Sequence, residues 1–236
     1  MSSGAECWAL VPAAGVGRRI GGAVPKQYLD LAGRPVIDYC LRLFLGHPRI
    51  RGVVVALDPA DSHWPSTPLA DHPSILRADG GAERGYSVLN GLNLLGTVAS
   101  ESDWVLVHDA ARPCLRVEDL NRLLDTLWDH PVGGLLGAAV SDTMKQAGQN
   151  GEVLRTVPRD DLWRAFTPQM FRLDLLRRAL RGALEDGQPV TDDASALEWL
   201  GLAPQLVEGH ADNIKITRPE DLALAHFYLD RQGRLC

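Results

Sequence analysis

Short apolar runs alternate with helical patterns along most of the sequence. Runs rich in Val and Leu occupy residues 8–11, 52–57, 104–108 and 135–140, with a shorter one at 74–78. Between and after them, apolar residues recur at helical spacing at 36–45, 88–95, 117–127 and 173–184. Uninterrupted apolar runs are typical of strands that are covered on both faces. The alternation therefore predicts a three-layer α/β fold, in which a mostly parallel, twisted sheet carries helices on both faces.

The first predicted strand leads into a loop that combines glycine with positive charge. Gly15 begins the loop, and Arg19 and Lys26 supply cations. Glycine lets the backbone approach a ligand closely, and exposed N–H groups beside cations form an anion cradle. Gly81 and Asp109 also follow the ends of predicted strands. Because ligands of parallel sheets bind beyond the carboxyl ends of the strands, we expect these residues at one rim, around a phosphate-rich ligand.

The spacing of this loop excludes two common phosphate motifs. A dinucleotide fingerprint needs a third glycine where this chain has Ile20. A P-loop needs glycine before its lysine and Ser or Thr after it, whereas Lys26 lies between Pro25 and Gln27. Pro25 would also interrupt a helix that started at the glycines. The segment is therefore predicted to be a broad loop, and a nicotinamide-dependent oxidoreductase is disfavoured.

Composition excludes several classes of protein. The chain has 236 residues and a formal net charge of −6, without a long basic run, which argues against a nucleic-acid partner. No apolar run approaches the ~18 residues that a membrane helix needs, and the start of the chain does not resemble a signal peptide. The four cysteines form no CxxC pair, so we expect free thiols and a cytoplasmic location. One domain, residues 1–236, is predicted.

Residues 141–161 break the β–α alternation. Two short segments flank Asn150-Gly151, a pair that strongly predicts a β-hairpin. Neither segment carries enough apolar surface for a core, and a lone hairpin is marginal in water. An arm that packs on a second subunit of a homodimer would cover it. A plain surface hairpin is the alternative.

The last third of the chain offers two helix starts. Thr191 precedes a short helical pattern and could be its N-cap. Thr217 and Glu220 have the spacing of a capping box at the start of the final helix. Leu206 begins the last predicted strand, and Pro35 is expected in the first turn of an early helix.

Four sequence blocks together carry a resemblance to one enzyme family. The first is Pro12-Ala13-Ala14-Gly15-x-Gly17-x-Arg19, with Pro25-Lys26-Gln27-Tyr28. The others are Val107-His108-Asp109-Ala110-Ala111-Arg112-Pro113, Thr191-Asp192-Asp193-Ala194-Ser195 and Asp212-Asn213-Ile214-Lys215-Ile216-Thr217. With these blocks the chain resembles the family of 2-C-methyl-D-erythritol 4-phosphate cytidylyltransferases, and the resemblance runs from about residue 8 to residue 229. It implies a Rossmann-like nucleotidyltransferase fold with a protruding hairpin arm.

The resemblance also implies a reaction, partners and residue roles. CTP and methylerythritol 4-phosphate would give the CDP-alcohol and pyrophosphate, with Mg²⁺ or another divalent cation, in the non-mevalonate isoprenoid pathway. The enzyme would be a homodimer whose arm reaches the neighbouring active site.

The resemblance also assigns roles to individual residues. Matching positions for the cytidine part are Ala13, Ala14, Gly15, Gly81, Ala82 and Ser87. Arg19 and Lys26 would stabilise the transition state, and Arg159 and Lys215 would position the acceptor phosphate and act in catalysis with them. Asp109, Arg112, Thr143, Thr167 and Thr191 would complete the acceptor pocket. Arg84 falls in a further matching motif, Gly81-x-x-Arg84-x-x-Ser87.

The chemistry of this reaction agrees with the residues present. A phosphate monoester has a second pKa of ~6, so it is largely dianionic near neutral pH and needs no general base. Catalysis then requires positioning and fixed cations against the repulsion between phosphates. Mg²⁺ prefers one or two carboxylates with phosphate oxygens and waters. Asp109 is the first candidate ligand and Asp212 the second, with Asn213 and the Asp192-Asp193 pair as alternatives; His108 is read as structural.

Two other functions compete with this one. A cytidylyltransferase for another polyol phosphate, such as ribitol 5-phosphate, would share the nucleotide half and differ only in the acceptor pocket. A non-catalytic nucleotide-sensing module would not require Arg19, Lys26 and Lys215 together.

Overall fold

The computed structural model describes residues 4–15 and 24–235. The first half of the chain forms β1 (Cys7–Pro12), β2 (Asp30–Leu31), β3 (Arg34–Pro35), α1 (Val36–Leu45), β4 (Gly52–Leu57), β5 (Ile75–Asp79), α2 (Arg84–Leu95), β6 (Trp104–Val107) and α3 (Val117–Leu127). The second half forms β7 (Gly133–Ala139), β8 (Met144–Ala147), β9 (Val153–Val157), β10 (Trp163–Arg172), α4 (Leu173–Glu185), α5 (Asp193–Trp199), β11 (Gln205–Glu208) and α6 (Glu220–Arg231).

A seven-stranded sheet forms the centre, in the order β11-β7-β10-β6-β1-β4-β5. Strand β10 runs antiparallel to both of its neighbours, and every other adjacent pair is parallel. This confirms the predicted mostly parallel sheet. It also places the carboxyl ends of β1, β4, β5 and β6 along one edge.

Helices cover both faces of the sheet, as predicted. On one face, α1 packs on β4, and α3 packs on β7, β10 and β11, so that Phe44 and Leu123 belong to one buried cluster with Val11, Val53 and Val55. On the other face, α2, α4 and α5 pack onto the alternate residues of the same strands, including Leu10, Val54 and Val105. A third cluster lies under α6. Both faces of the central strands are therefore buried, which is why these strands read as uninterrupted apolar runs.

Strand β10 is the main element that the sequence pattern did not predict. Pro168 lies in its middle, and proline within a run argues against a central strand because it lacks the N–H that the ladder needs. The ladder to β7 shifts register between Ala165 and Gln169, so Pro168 sits in an irregularity of the pairing. Phe166, Met170 and Phe171 are buried on either side of it. The segment thus forms a strand despite Pro168, because its apolar side chains are buried in the core.

Three predicted helix starts are corrected. Asp192, not Thr191, is the N-cap of α5, since its carboxylate accepts a hydrogen bond from the Ser195 N–H and completes a capping box. Before α6, the predicted pairing of Thr217 with Glu220 is absent from the contacts of these two described residues. Instead the Asp221 carboxylate accepts from the Thr217 N–H and hydroxyl and from the Arg218 N–H. Pro35 precedes α1 as its N-cap rather than lying in its first turn.

The hairpin is present where Asn150-Gly151 predicted it. Strands β8 and β9 pair antiparallel and form a sheet of their own. Gly151 has a φ of +84°, a conformation that glycine adopts without strain. All four residues of β8 and the first four of β9 are exposed.

Within residues 4–15 and 24–235, no helix has the length and apolar character that a bilayer crossing requires.

Candidate active site

Two adjoining cavities open at the carboxyl ends of the central strands. The first chamber has a volume of about 230 Å³. Its described walls are Pro12, Ala13, Ala14, Gly15, Lys26, Gln27, Gly81, Ala82, Glu83, Arg84, Ser87, Asp109, Ala110, Ala111 and Lys215. These residues come from the segments after β1, β5 and β6, together with α2 and the loop before α6. The prediction that Gly15, Gly81 and Asp109 share one rim is confirmed.

Close backbone contacts set the shape of the first chamber. A Cβ on Gly80 would lie 2.2 Å from the Ala14 Cβ, so only glycine lets the segments after β1 and β5 meet. The Gly80 N–H donates to the Leu57 carbonyl at 2.6 Å. The Gly81 N–H donates to the Ser87 hydroxyl at 3.0 Å, which fixes the turn into α2. Small side chains and fixed backbone therefore line this wall.

Hydrogen bonds hold the turn at Lys26–Tyr28 against the end of β1 and against Asp61. Lys26 begins a 3₁₀ turn, Lys26–Tyr28, whose Gln27 side chain is buried. The Gln27 Nε2 donates to the Ala13 carbonyl at 2.7 Å, and the Tyr28 hydroxyl donates to Asp61 at 2.7 Å. These bonds hold Lys26 at the wall of the chamber.

The second chamber has a volume of about 270 Å³ and adjoins the first. Its described walls are Arg84, Asp109, Arg112, Ala165, Phe166, Thr167, Gln169, Thr191, Asp192 and Lys215. Arg84, Asp109 and Lys215 line both chambers. The charged residues of the site therefore lie at the boundary between two compartments.

Asp109 holds three cations at this boundary. Its Oδ1 accepts from the Arg84 Nε at 3.0 Å, and its Oδ2 lies 2.9 Å from the Lys215 Nζ and 3.4 Å from the Arg112 Nε. Burial alone would raise the pKa of the Asp109 carboxyl, but the charges of Arg84, Lys215 and Arg112 outweigh it and hold that pKa well below its usual range. The carboxylate is therefore ionised at neutral pH and keeps the cations in place.

A second carboxylate anchors Arg84 from behind. The Arg84 Nη1 and Nη2 donate to the two oxygens of Asp193 at 3.0 and 2.8 Å. The Asp193 side chain is fully buried. This bidentate pairing is the strong, oriented form of an Arg–carboxylate contact. Arg84 thus connects the start of α5 to Asp109.

A directed hydrogen-bond chain orients Asp109 and Arg112. Burial lowers the pKa of His108 to about 4, so its ring is neutral at pH 7. The His108 Nε2 lies 3.0 Å from the Arg112 carbonyl, which can only accept, so Nε2 carries the proton. The Nδ1 then accepts from the Thr167 hydroxyl, which itself accepts from the Asp109 N–H. The structural role predicted for His108 fits this chain.

Polar residues of β10 and the loop before α6 complete the support. The Gln169 side chain donates to Asp192 at 2.8 Å and accepts from the Ala194 N–H at 2.8 Å. Asn213 accepts through its carbonyl from the Arg112 Nη1 at 2.7 Å, and its amide donates to the Thr167 carbonyl at 2.8 Å. These bonds fasten the walls of the second chamber to each other.

Comparison with known proteins places the chain in a family. The model of the 2-C-methyl-D-erythritol 4-phosphate cytidylyltransferase family matches residues 7–231. The chain belongs to this family. The predicted resemblance is confirmed, and with it the enzyme class: a cytidylyltransferase of isoprenoid biosynthesis rather than an oxidoreductase.

Relatives and solved structures of the family cover nearly the whole chain. A cytidylyltransferase of this name from Ectopseudomonas mendocina is 57% identical over 217 residues, 92% of each chain. Another from Vibrio parahaemolyticus is 51% identical over 224 residues, 95% of each chain. The crystal structure of the Francisella tularensis 2-C-methyl-D-erythritol 4-phosphate cytidylyltransferase superposes with a TM-score of 0.84 at 35% identity, covering 95% of this chain and 100% of that one. The nucleotidyltransferase fold is thereby confirmed.

The structure groups most of the residues that the family resemblance singled out. The nucleotide set Ala13, Ala14, Gly15, Gly81, Ala82 and Ser87 lines the first chamber, together with Lys26. Of the acceptor set, Asp109, Arg112, Thr167, Thr191 and Lys215 line the second chamber. The two sets therefore occupy separate compartments that meet at Asp109 and Lys215.

Three predicted site residues, Thr143, Arg159 and Asp212, are absent from the described lining of either chamber. Arg19 lies outside the described residues. Thr143 and Arg159 are exposed residues beside the hairpin. The Arg159 guanidinium donates to the Ser141 carbonyl of its own chain. Their predicted roles require an arm from another subunit.

The two predicted metal ligands, Asp109 and Asp212, lie in different surroundings. Asp109 stands on the wall shared by the chambers, which fits Mg²⁺ because this ion needs only one or two carboxylates when phosphates and waters complete its shell. Asp212 is turned elsewhere: its Oδ2 accepts from the Arg116 Nε at 2.9 Å and from Gln232 at 3.2 Å. Among the described residues no group of three or more His, Cys, Asp or Glu side chains could hold a metal alone. We therefore keep Asp109, and not Asp212, as the candidate ligand.

Several residues of the site were not predicted from the sequence. The sequence indicates Asp193 only as part of an alternative acidic pair for the metal, and it indicates no role for Gln169 or Phe166. Arg84 was noted only through its motif. Asp193 directly follows the N-cap Asp192 at the start of a short apolar helix. A carboxylate that is buried there needs a cationic partner, and this requirement could have indicated Asp193 from the sequence.

Proposed function

We propose that the first chamber binds CTP, that the second binds methylerythritol 4-phosphate, and that CMP transfer occurs where they meet. The observation that carries this proposal is the sharing of Arg84, Asp109 and Lys215 between two compartments that otherwise have different walls. A reaction between two phosphates needs such a boundary, because both must approach the same cations.

The acceptor phosphate is the nucleophile and needs no base. As a largely dianionic monoester it attacks the α-phosphorus of CTP, a new P–O bond forms, and pyrophosphate leaves with the electron pair of the broken P–O bond. The neutral ring of His108 is buried in its own hydrogen bonds and is not required as a proton acceptor. The barrier is mainly electrostatic repulsion between the two reactants.

The cations of the site offset that repulsion. Lys26 faces the first chamber, where it would contact the triphosphate. Lys215 and Arg112 face the second chamber, where they would hold the acceptor phosphate. Asp109 keeps them in position before substrates bind, so little reorganisation accompanies the reaction. Arg19, which lies outside the described residues, would add a further positive charge.

A bound Mg²⁺ would neutralise phosphate charge and orient the leaving pyrophosphate. Asp109 is the residue of this chain that would contact it.

Backbone groups near Ala14 and Gly81 would recognise cytosine. The contact of 2.2 Å that a Cβ on Gly80 would make shows how closely the two segments approach. A pyrimidine fits such a narrow wall better than a purine does. Comparable turnover with ATP and with CTP would contradict this part of the proposal.

The hairpin would serve as a dimerisation arm, spanning residues 141–161 of a single domain. Its apolar side chains are unusually exposed for a folded strand, with Val153 at 63% and Leu154 at 59%. A second subunit would bury them, in line with the symmetric assembly of most soluble oligomers. Arg159 and Thr143 would then reach the second chamber of the neighbouring subunit.

We place the enzyme in the cytoplasm. Cys7, Cys40 and Cys114 are free and buried, and burial raises the pKa of each thiol to about 12. Such thiols are inert and suit a reducing compartment.

The proposed activity is tested by pyrophosphate release. The purified chain is incubated with CTP, Mg²⁺ and a panel of polyol phosphates. Release with methylerythritol 4-phosphate well above that with ribitol 5-phosphate supports the proposal. Preference for ribitol 5-phosphate would instead favour the alternative acceptor, and nucleotide binding without release would favour a sensing module.

Mixed dimers test the contribution of the arm. Arg159→Ala and Lys215→Ala chains are each expected to be inactive as homodimers. Together in one heterodimer they leave one intact site, because one subunit supplies Arg159 and the other Lys215. About a quarter of wild-type activity in a statistical mixture is expected. Heterodimers that form but recover no activity would exclude supply of Arg159 by the neighbour.

A further inference from the structure

A strongly basic cavity lies away from the two chambers. It has a volume of about 650 Å³ and lies between α1, the start of α3 and the end of α6. Its charged wall residues are Arg34, Arg42, Arg116, Arg231, Arg234 and Glu118. None of its lining residues belongs to either chamber. We call it the basic cavity.

The charge of the basic cavity is opposite to that of the protein. Five arginines and one glutamate line it, although the whole chain carries a formal net charge of −6. Such a concentration of like charge costs free energy unless an anion offsets it. The proposed reaction makes no use of these arginines.

Among the residues that the structure describes, three of the five arginines form no direct ion pair with a carboxylate. Arg42 pairs with Asp38 at 3.4 Å, and Arg116 pairs with Asp212. For Arg34, Arg231 and Arg234, the described part of the chain provides no carboxylate within ion-pair distance. Their charges are therefore open to an external anion.

Neutral acceptors hold Arg234 in a fixed position. Its Nη1 donates to the Leu115 carbonyl at 2.7 Å and to Gln232 at 3.1 Å, and its Nη2 donates to the Tyr39 carbonyl at 2.9 Å. Burial lowers the pKa of this guanidinium and outweighs the opposing effect of nearby acidic groups, which include Glu118. A cation fixed in this way is preorganised for a ligand, since binding immobilises no flexible side chain.

We propose that the basic cavity binds a small anion carrying two or more phosphate groups. Guanidinium groups match phosphate oxygens with paired hydrogen bonds, and several of them around one cavity suit a diphosphate or triphosphate better than a single charge. The volume lies within the range of small-molecule sites, whereas an extended polyanion such as nucleic acid needs an open basic surface. The ligand class is a polyphosphate or a diphosphate ester.

Binding of inorganic tripolyphosphate, measured by titration calorimetry without divalent cations, tests the proposal. The chambers also attract phosphates, so the titration uses a Lys26→Ala/Lys215→Ala background in which that binding is weakened. We expect tripolyphosphate to bind this variant. Adding Arg34→Glu and Arg231→Glu should weaken the binding at least tenfold, whereas the matched double change Arg178→Glu/Arg181→Glu on α4 should leave it within twofold. The measurement needs no turnover and is independent of the proposed reaction.

A milder pair of substitutions guards against misfolding. Arg34→Gln with Arg231→Gln removes the charges without reversing them and should weaken binding at least threefold while thermal unfolding stays cooperative. Two results would overturn the proposal. One is an absence of tripolyphosphate binding in the Lys26→Ala/Lys215→Ala background, and the other is equal affinity with and without the arginine substitutions.

Discussion

Replacing Arg84 with methionine should destabilise the fold through the carboxylate that it leaves behind. Arg84 donates two hydrogen bonds to Asp193, whose side chain is fully buried, while Arg84 itself is 25% exposed. Removing one partner of a buried ion pair costs about 3–5 kcal/mol because the other charge stays uncompensated. The partial exposure of Arg84 puts the expected loss near the lower end, at about 3 kcal/mol of unfolding free energy at pH 7.

The pH dependence identifies the mechanism. Burial raises the pKa of Asp193 even against the charge of Arg84, and without Arg84 that pKa must rise further. A carboxyl whose pKa is higher in the folded state favours folding at low pH, and that contribution is lost as the pH rises through the folded pKa. The deficit of Arg84→Met should therefore be smaller at pH 4.5 than at pH 7.

A second substitution should relieve the loss. In the Arg84→Met/Asp193→Asn variant the orphan charge is gone, and about half of the lost free energy, ~1.5 kcal/mol, should return. Urea denaturation followed by circular dichroism gives these values. The matched control is Arg178→Met, which removes an exposed pair with Asp174 and should cost under about 0.5 kcal/mol. A loss below about 1 kcal/mol for Arg84→Met, or further destabilisation by Asp193→Asn, would refute the reasoning.

Three further predictions concern the site and its supports. Lys26→Ala should lower kcat far more than it weakens CTP binding, since the lysine is proposed to act on charge that develops in transfer; unchanged turnover in a steady-state assay would remove it from the mechanism. Gly80→Ala should destabilise the protein and weaken CTP binding, because its Cβ would lie 2.2 Å from that of Ala14; a wild-type melting temperature and CTP affinity would contradict the close approach. Asp221→Ala should cost about 1 kcal/mol at pH 7 by removing the bonds that start α6. Burial would raise the pKa of Asp221, but hydrogen bonds from Thr217 and Arg218 outweigh it and lower that pKa. The stabilisation by this carboxylate is therefore lost as the pH falls through the lowered pKa. The stability difference between Asp221→Ala and the wild type should accordingly shrink in acid denaturation curves near pH 3.

Periodicity predicted the central sheet because its strands have no exposed face. Strand β4 was predicted at 52–57 and forms as Gly52–Leu57, with every residue buried. A run that must be apolar on both sides leaves an unambiguous signal. The carboxyl ends of these strands were also predictable, and the segments that follow them bring Gly15, Gly81 and Asp109 to one cavity.

Pairings between distant residues left no such signal. Arg84 and Asp193 are separated by 109 positions, and they meet because α2 packs against α4, which in turn packs against α5. Strand β10 was not predicted because Pro168 lacks the N–H that a strand ladder needs. The pairing of β10 with β7 shifts register at this point, and the shift accommodates the proline. Local chemistry thus predicted the shared rim, and the family resemblance named Asp109 and Lys215, whereas the pairing of Arg84 with Asp193 required the tertiary structure.

A crystal structure of the enzyme with CTP and Mg²⁺ tests the central claim most directly. We predict cytosine against Ala14 and Gly81 in the first chamber, with Lys26 in contact with the triphosphate and the α-phosphate at the boundary marked by Asp109 and Lys215. A nucleotide bound elsewhere, or a triphosphate that neither lysine approaches, would contradict the account.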